Sequence, residues 1–220
     1  MNTRNIRLPA RDHTTMTAVA DPLKFYYLPV AREFYVARFV DAVKLLGGRV
    51  ESLLDFGTGS GIFLPELSRW CDRLHACDIH ENLDFVRQML RKEGIDATVL
   101  QSSRAKIPFE DASMDAVVSM SVLEHIKDLA PFVDEIDRVL KPGGRAVIGV
   151  PVDNPMTKAM FRVSYLLLPN AKLEDEHVST HADVIAAFER RFDVGQILHI
   201  PRLAPEIVRM YTTTLFRKRP

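Results

Sequence analysis

Three glycines at alternate positions, Gly57, Gly59 and Gly61, follow an apolar run in LLDFGTGSGIF (53–63). Glycine at such spacing admits positive φ angles and lets backbone amides come close to a ligand. One acid, Asp55, stands two residues ahead of the first glycine, and a second, Asp78, ends the apolar part of HACDIH (75–80). A carboxylate is a bidentate acceptor, so Asp78 is fitted to a pair of ribose hydroxyls. The spacing also separates ligand classes. A dinucleotide turn reads GxGxxG, but the sixth position counted from Gly57 is Ile62, which disfavours a nicotinamide dehydrogenase.

Two histidines four apart, His177 and His181 in DEHVSTHADV (175–184), invite a metal reading. Thr180 followed by Asp183 is instead a capping box, which puts His177 in a loop and His181 in the first turn of a helix. No third ligand stands at a helpful spacing, so no metal is expected. Cys71 and Cys77 form no CxxC pair, which argues against zinc and against a disulfide framework.

The elements that must position these groups follow a regular rhythm. Apolar residues at Phe34, Val36, Phe39, Val40, Val43 and Leu46 predict an amphipathic helix that stops at Gly47-Gly48. Strands are expected over 52–56, 73–78, 97–101, 115–120 and 145–150, with helices over 62–70, 83–93 and 129–140 between them. Gly94 and Gly143 act as stops, and KPGG (141–144) turns the chain back into a strand. Such alternation predicts a parallel sheet covered on both faces. Two further strand-like runs, 193–200 and 207–218, are joined too closely for a crossover helix and should form an antiparallel hairpin. The glycine turn then lies beyond the carboxyl end of the first strand, where α/β sheets bind ligands, and the following helix N-terminus adds positive potential.

LLDFGTGSGIF, HACDIH, IPFEDASMDAVVSMSVLEHI (107–126) and LKPGGRAVIGVP (140–151), in that order, resemble the motif series of class I S-adenosylmethionine-dependent methyltransferases, most closely the small-molecule branch called methyltransferase type 11. The resemblance covers about 53–151 well and the terminal hairpin weakly. It implies a Rossmann-like seven-stranded sheet, mostly parallel with an antiparallel C-terminal hairpin and helices on both faces. It also implies S-adenosylmethionine as cofactor, with Asp55, Gly57, Gly59, Gly61 and Asp78 at its methionine and ribose parts, Ile79 on adenine and Met120 alongside. The family usually carries an acid near the adenine amino group. Here QSSRAKIPF (101–109) offers Ser102 and Ser103, whose hydroxyls accept the same hydrogen bond without the charge. His125, just beyond the fourth strand, and His177, on the substrate side, become the candidate catalytic residues.

The outer parts of the chain read as a lid and a cover. Residues 1–33 form an arm and lid, and 34–220 the methyltransferase domain with a substrate-side insert at 151–181. In FYYLPV (25–30), Tyr26 and Tyr27 either shield the substrate or pack at an edge. MFRVSYLLLPN (160–170) predicts a helix with Phe161 and Tyr165 on one stripe, either covering a partly apolar substrate or resting on a membrane surface.

Composition narrows the partners. The 220 residues are 47% hydrophobic, and 29 basic residues balance 29 acidic ones, so no net field favours nucleic acid. No apolar run approaches the roughly 20 residues of a membrane span, and a cytoplasmic location is expected. The expected reaction is in-line methyl transfer to an oxygen, nitrogen or carbon nucleophile of a small molecule. The alternative is a non-catalytic S-adenosylmethionine-binding protein that serves regulation or assembly.

Overall fold

The computed structural model describes residues 3–17, 21–103, 106–154, 157 and 177–219. Phe161, Tyr165 and the helix expected over 160–168 lie outside them.

A 3-10 helix, Pro22–Tyr27, is capped by Asp21, whose side chain accepts from Leu23 N. It leads into α1, Pro29–Leu46. This helix begins five residues before the apolar periodicity does, because Pro29 has φ preset for a first turn and loses no needed amide there. It ends at Gly47 with φ 71. Seven strands follow as β1 Val50–Phe56, β2 Cys71–Asp78, β3 Thr98–Gln101, β4 Met114–Met120, β5 Leu140–Pro151, β6 Phe192–Ile200 and β7 Tyr211–Lys218. The intervening α-helices are α2 Leu64–Leu67, α3 Leu83–Glu93, α4 Ala130–Val139 and α5 His181–Glu189.

The strands form one sheet in the order β3-β2-β1-β4-β5-β7-β6. The first five pair in parallel, and β7 runs antiparallel to both β5 and β6. This is the expected architecture. Adjacent residues in the central strands are buried on opposite faces. Leu53, Ala116 and Val118 join the core under α1, α2 and α3, while Leu54, Val117 and Ile148 join the core under α4 and α5. Continuous apolar runs such as SLLDF and AVVSM are what a doubly covered parallel sheet requires.

Three local expectations are corrected. The segment 62–70 is not one helix, since α2 has only four residues before a 3-10 turn at Ser68–Trp70. Lys141–Gly144 is an irregularity inside β5, between the pairs Met114↔Leu140 and Ala116↔Arg145, so Gly143 stops no helix. The last strand begins at Tyr211 because Glu206–Val208 is a 3-10 turn. Among the described residues, no helix is long and apolar enough to cross a membrane.

Candidate active site

Neighbouring strands β1 and β4 send their crossovers in opposite directions, which opens a crevice beyond their carboxyl ends. The glycine loop sits there. Gly57 N and Thr58 N donate to Cys77 O at 2.9 and 3.2 Å, which folds the loop over the end of β2. Gly57, Gly59 and Gly61 have φ of 77, 53 and 74. The surroundings of the three differ. A Cβ on Gly57 would stand 2.3 Å from Val122 Cγ2, and one on Gly61 would meet Met89 and Val86 of α3 at 2.8 and 2.9 Å. A Cβ on Gly59 would meet nothing within 4 Å. Gly57 and Gly61 thus serve close packing, and Gly59 faces the open side of the loop. With α2 a single turn, loop amides rather than a helix dipole offer the polarity.

Asp78 ties this loop to the next. Its Oδ2 accepts from Gly59 N at 2.8 Å and its Oδ1 from His80 N at 3.3 Å. A carboxylate has about four lone-pair sites, so two are left for ligand hydroxyls. His80 Nε2 reaches Gly59 O at 3.0 Å and closes the bridge from the other side. Ile79 is 52% exposed at this rim, an apolar surface open to a ring. Ser102 is buried and donates its N–H to Asp78 O at 2.9 Å, while Ser103 is exposed. Asp55 is buried beneath the loop, where Thr58 Oγ1 donates to it at 2.8 Å. Burial pushes the Asp55 carboxyl up to about 7; the Thr58 hydrogen bond opposes this and the nearby Asp78 charge adds to it.

The other wall comes from the end of β4. Met120 fits because Gly149 opposite has no side chain; a Cβ there would lie 2.6 Å from its methyl. Ser121 holds φ 59, rare for a side-chain-bearing residue, and turns the chain into Leu123–His125. Ser121 Oγ is bonded by Arg38 at 3.1 Å and Tyr211 Oη at 2.9 Å. Arg38, buried in α1, also donates to Tyr26 Oη at 2.6 Å and stacks on Tyr35. Tyr26 is therefore part of a buried polar network, and burial pushes its hydroxyl up to about 12 despite the neighbouring Arg38 charge. Tyr27 donates to Pro9 O at 2.9 Å. It anchors the arm.

That arm is docked along the described residues 3–17. Arg7 N donates to Glu66 Oε2 and Ala10 N to Glu93 Oε1, both at 2.8 Å, and Asn82 Nδ2 donates to Thr17 O at 2.9 Å. Glu66 is fully buried directly after the glycine loop and is also held by Arg69 and Trp70. The arm thus spans α2, α3 and the loop after Asp78.

His125 and His177 come together although 52 positions separate them in the chain, with ring centroids 5.5 Å apart. Val178 N and Ser179 N both donate to Glu124 O, at 2.9 and 3.1 Å, which pins the His177 loop to the end of β4. His177 Nδ1 lies 3.0 Å from Asp153 Oδ1. His181 does not join them; it opens α5 behind the capping box of Thr180 and Asp183, with Nε2 3.8 Å from Glu206. Sequence reasoning passed over Arg38, Glu124, Asp153 and Tyr211. Only Glu124 left a local signal, as the acid beside His125 in SVLEHI.

Residues 54–148 match the family model of the methyltransferase domain. Over this segment, less than half of its length, the chain resembles a methyltransferase domain. The chain is 33% identical over 93 residues to the ubiquinone biosynthesis O-methyltransferase of Methylocella silvestris, covering 42% of this chain and 36% of that one. It is 30% identical over 130 residues to the ubiquinone/menaquinone biosynthesis C-methyltransferase UbiE of Klebsiella pneumoniae, covering 55% and 52%. It therefore spans about half the length of these curated relatives, or less. In fold, the N-methyltransferase NodS from Bradyrhizobium japonicum, solved in complex with S-adenosyl-L-homocysteine, superposes with TM-score 0.67 at 18% identity, covering 91% of this chain and 93% of that one. The matched segment ends within β5, so the Asp153 and His177 wall lies beyond it.

Proposed function

We propose that this chain transfers a methyl group from S-adenosylmethionine to a small-molecule acceptor, and that His125 and His177 meet the acceptor. The observation that carries the reading is the Asp78 bridge. One carboxylate holds the open glycine of the loop at 2.8 Å and keeps lone pairs for two ribose hydroxyls at the switch point of the sheet.

The residues fit the cofactor part by part. Asp78 would take the ribose, exposed Ile79 the adenine face, and Ser102 and Ser103 its amino edge. Gly59, with open space above it, would admit the methionine part. A cationic ligand above the loop also favours the ionised form of Asp55. When bound, the cofactor supplies an activated methyl group and its own leaving group. The protein's work is then alignment and exclusion of water, and alignment alone is worth about 7–11 kcal/mol in well-oriented reactions. Residues 3–17, bonded to α2, α3 and the loop after Asp78, act as the lid. Tyr26 holds Arg38, which in turn holds Ser121, behind the wall, and Phe161 and Tyr165 are proposed for the acceptor's apolar surface.

Calorimetry with S-adenosylmethionine and NAD tests the cofactor. Binding of the first and not the second is expected, and Asp78→Ala should weaken it by about 1.5–3 kcal/mol, the range for hydrogen bonds to a charged group. Tight NAD binding, or an unchanged affinity in a folded Asp78→Ala chain, overturns the reading. Release of S-adenosylhomocysteine with an acceptor panel separates an enzyme from a mere binder.

A further inference from the structure

We infer that Glu124, His125 and His177 form a site for a divalent first-row transition-metal ion on the acceptor side of the crevice. One ligand atom from each of the three lies within 4.8 Å of the other two. His125 Nε2 and Glu124 Oε1 are 3.9 Å apart. Ligands about 2.0–2.2 Å from one ion, at tetrahedral or octahedral angles, stand roughly 3–3.5 Å from each other. A small rotation of the half-exposed His125 ring closes that difference. The backbone bonds from Val178 and Ser179 to Glu124 O hold the two chain segments in place.

The orientation of His177 is the second, independent observation. A carboxylate only accepts, so the 3.0 Å contact to Asp153 Oδ1 places a proton on Nδ1. The lone pair of neutral His177 then belongs to Nε2. A carboxylate behind a histidine is the arrangement that fixes tautomer and ring plane at metal centres and raises ligand basicity. An ion pair between Glu124 and a protonated His125 would account for one contact, but not for the arrival of a second, carboxylate-backed imidazole.

Two imidazoles and one carboxylate select zinc, iron, cobalt, nickel or manganese over magnesium and calcium, which prefer all-oxygen shells. Three protein ligands leave positions open, and an acceptor oxygen is the group to fill one. The metal's use in methyl transfer rests on the function proposed above, whereas the site itself does not.

The test uses the full chain without an affinity tag, stripped with chelator and titrated with Co2+, followed by visible absorption and calorimetry. One equivalent should bind with the ligand-field bands of a low-symmetry site, and Zn2+ should displace it. His125→Gln and His177→Gln should each weaken binding by at least tenfold, and Asp153→Asn by about 10–100-fold, the usual cost of losing such a partner. His199→Gln, remote in sequence and bonded to Thr212, should leave affinity unchanged. Because Glu124 is buried, the exposed His125 variant carries the test if Glu124→Gln misfolds. Absence of saturable Co2+ binding, or binding that survives both histidine substitutions, overturns the inference. S-adenosylmethionine affinity of the stripped chain is measured separately, so loss of the metal site and loss of the methyltransferase reading give different results.

Discussion

The two ends of the central strands β1 and β4 each hold an aspartate, and the two are treated in opposite ways. At the amino end Asp115 is saturated: Lys141 Nζ reaches one oxygen at 2.8 Å and Ser52 N the other at 2.8 Å. Partial burial raises its pKa, but the Lys141 and Ser52 hydrogen bonds outweigh it and hold the carboxyl below its ordinary value. At the carboxyl end Asp55 is buried, with Thr58 as its hydroxyl donor and another acid nearby, and its pKa rises to about 7. Glycines there replace side chains, and Ser121 is held in the left-handed region. One end is built for stability. The other carries a cost in strain and buried charge, the pattern expected at a functional site.

The sharpest way to break the contrast is Gly57→Val. The added branch meets Val122 and the φ of 77 disfavours it, so the loss should be about 2–5 kcal/mol in urea denaturation, summing left-handed strain and overpacking. Gly59→Ala, with open space around its Cβ, should lose only the strain of about 1–2 kcal/mol. Equal losses at the two positions would mean that the loop is not packed as described.

Next in size is Asp55→Asn. A carboxyl raised from 3.8 to about 7 on folding costs nothing below about pH 4, and the cost grows until it is complete above pH 7. It amounts to at most about 4 kcal/mol, at 1.36 kcal/mol per pKa unit. The asparagine chain should therefore gain on the parent as pH rises from 4 to 8, in the difference of their unfolding free energies. A flat difference would place Asp55 in a polar environment after all.

Asp115→Asn should show the opposite sign and the smallest effect. Its folded pKa is lowered, so its contribution is present above the unfolded value of 3.8 and disappears as pH falls through the folded one. Asp115 and Lys141 are 28% and 31% exposed, which screens the pair, and a loss of about 1–2 kcal/mol at pH 7 is expected. The same difference curve checks it: constant from pH 5 to 8 and vanishing in acid.

Much of the scaffold was readable from neighbours in the chain. Apolar runs between crossover segments located every strand, the D-x-G-x-G-x-G spacing located the loop, and Thr180 with Asp183 located the start of α5. These signals are local because strand alternation, caps and turns depend on residues within about four positions. Where competing local terms were close, boundaries moved, as Pro29 extended α1.

By itself, then, the sequence determined the order of strands and helices, the glycine loop and the acid at the end of β2, since each is written in a short stretch of chain. Tertiary structure decided which side chains share a space: Arg38 with Ser121, and Glu124 and His125 with His177 and Asp153. It also decided that Asp55 is buried with a raised pKa while Asp115, an aspartate of the same kind on the neighbouring strand, is held low. Residue type fixes what a group can donate, accept or ligate, but burial and the arrival of a partner from a distant segment fix which of those it does, and both arise only when the sheet closes and its loops meet.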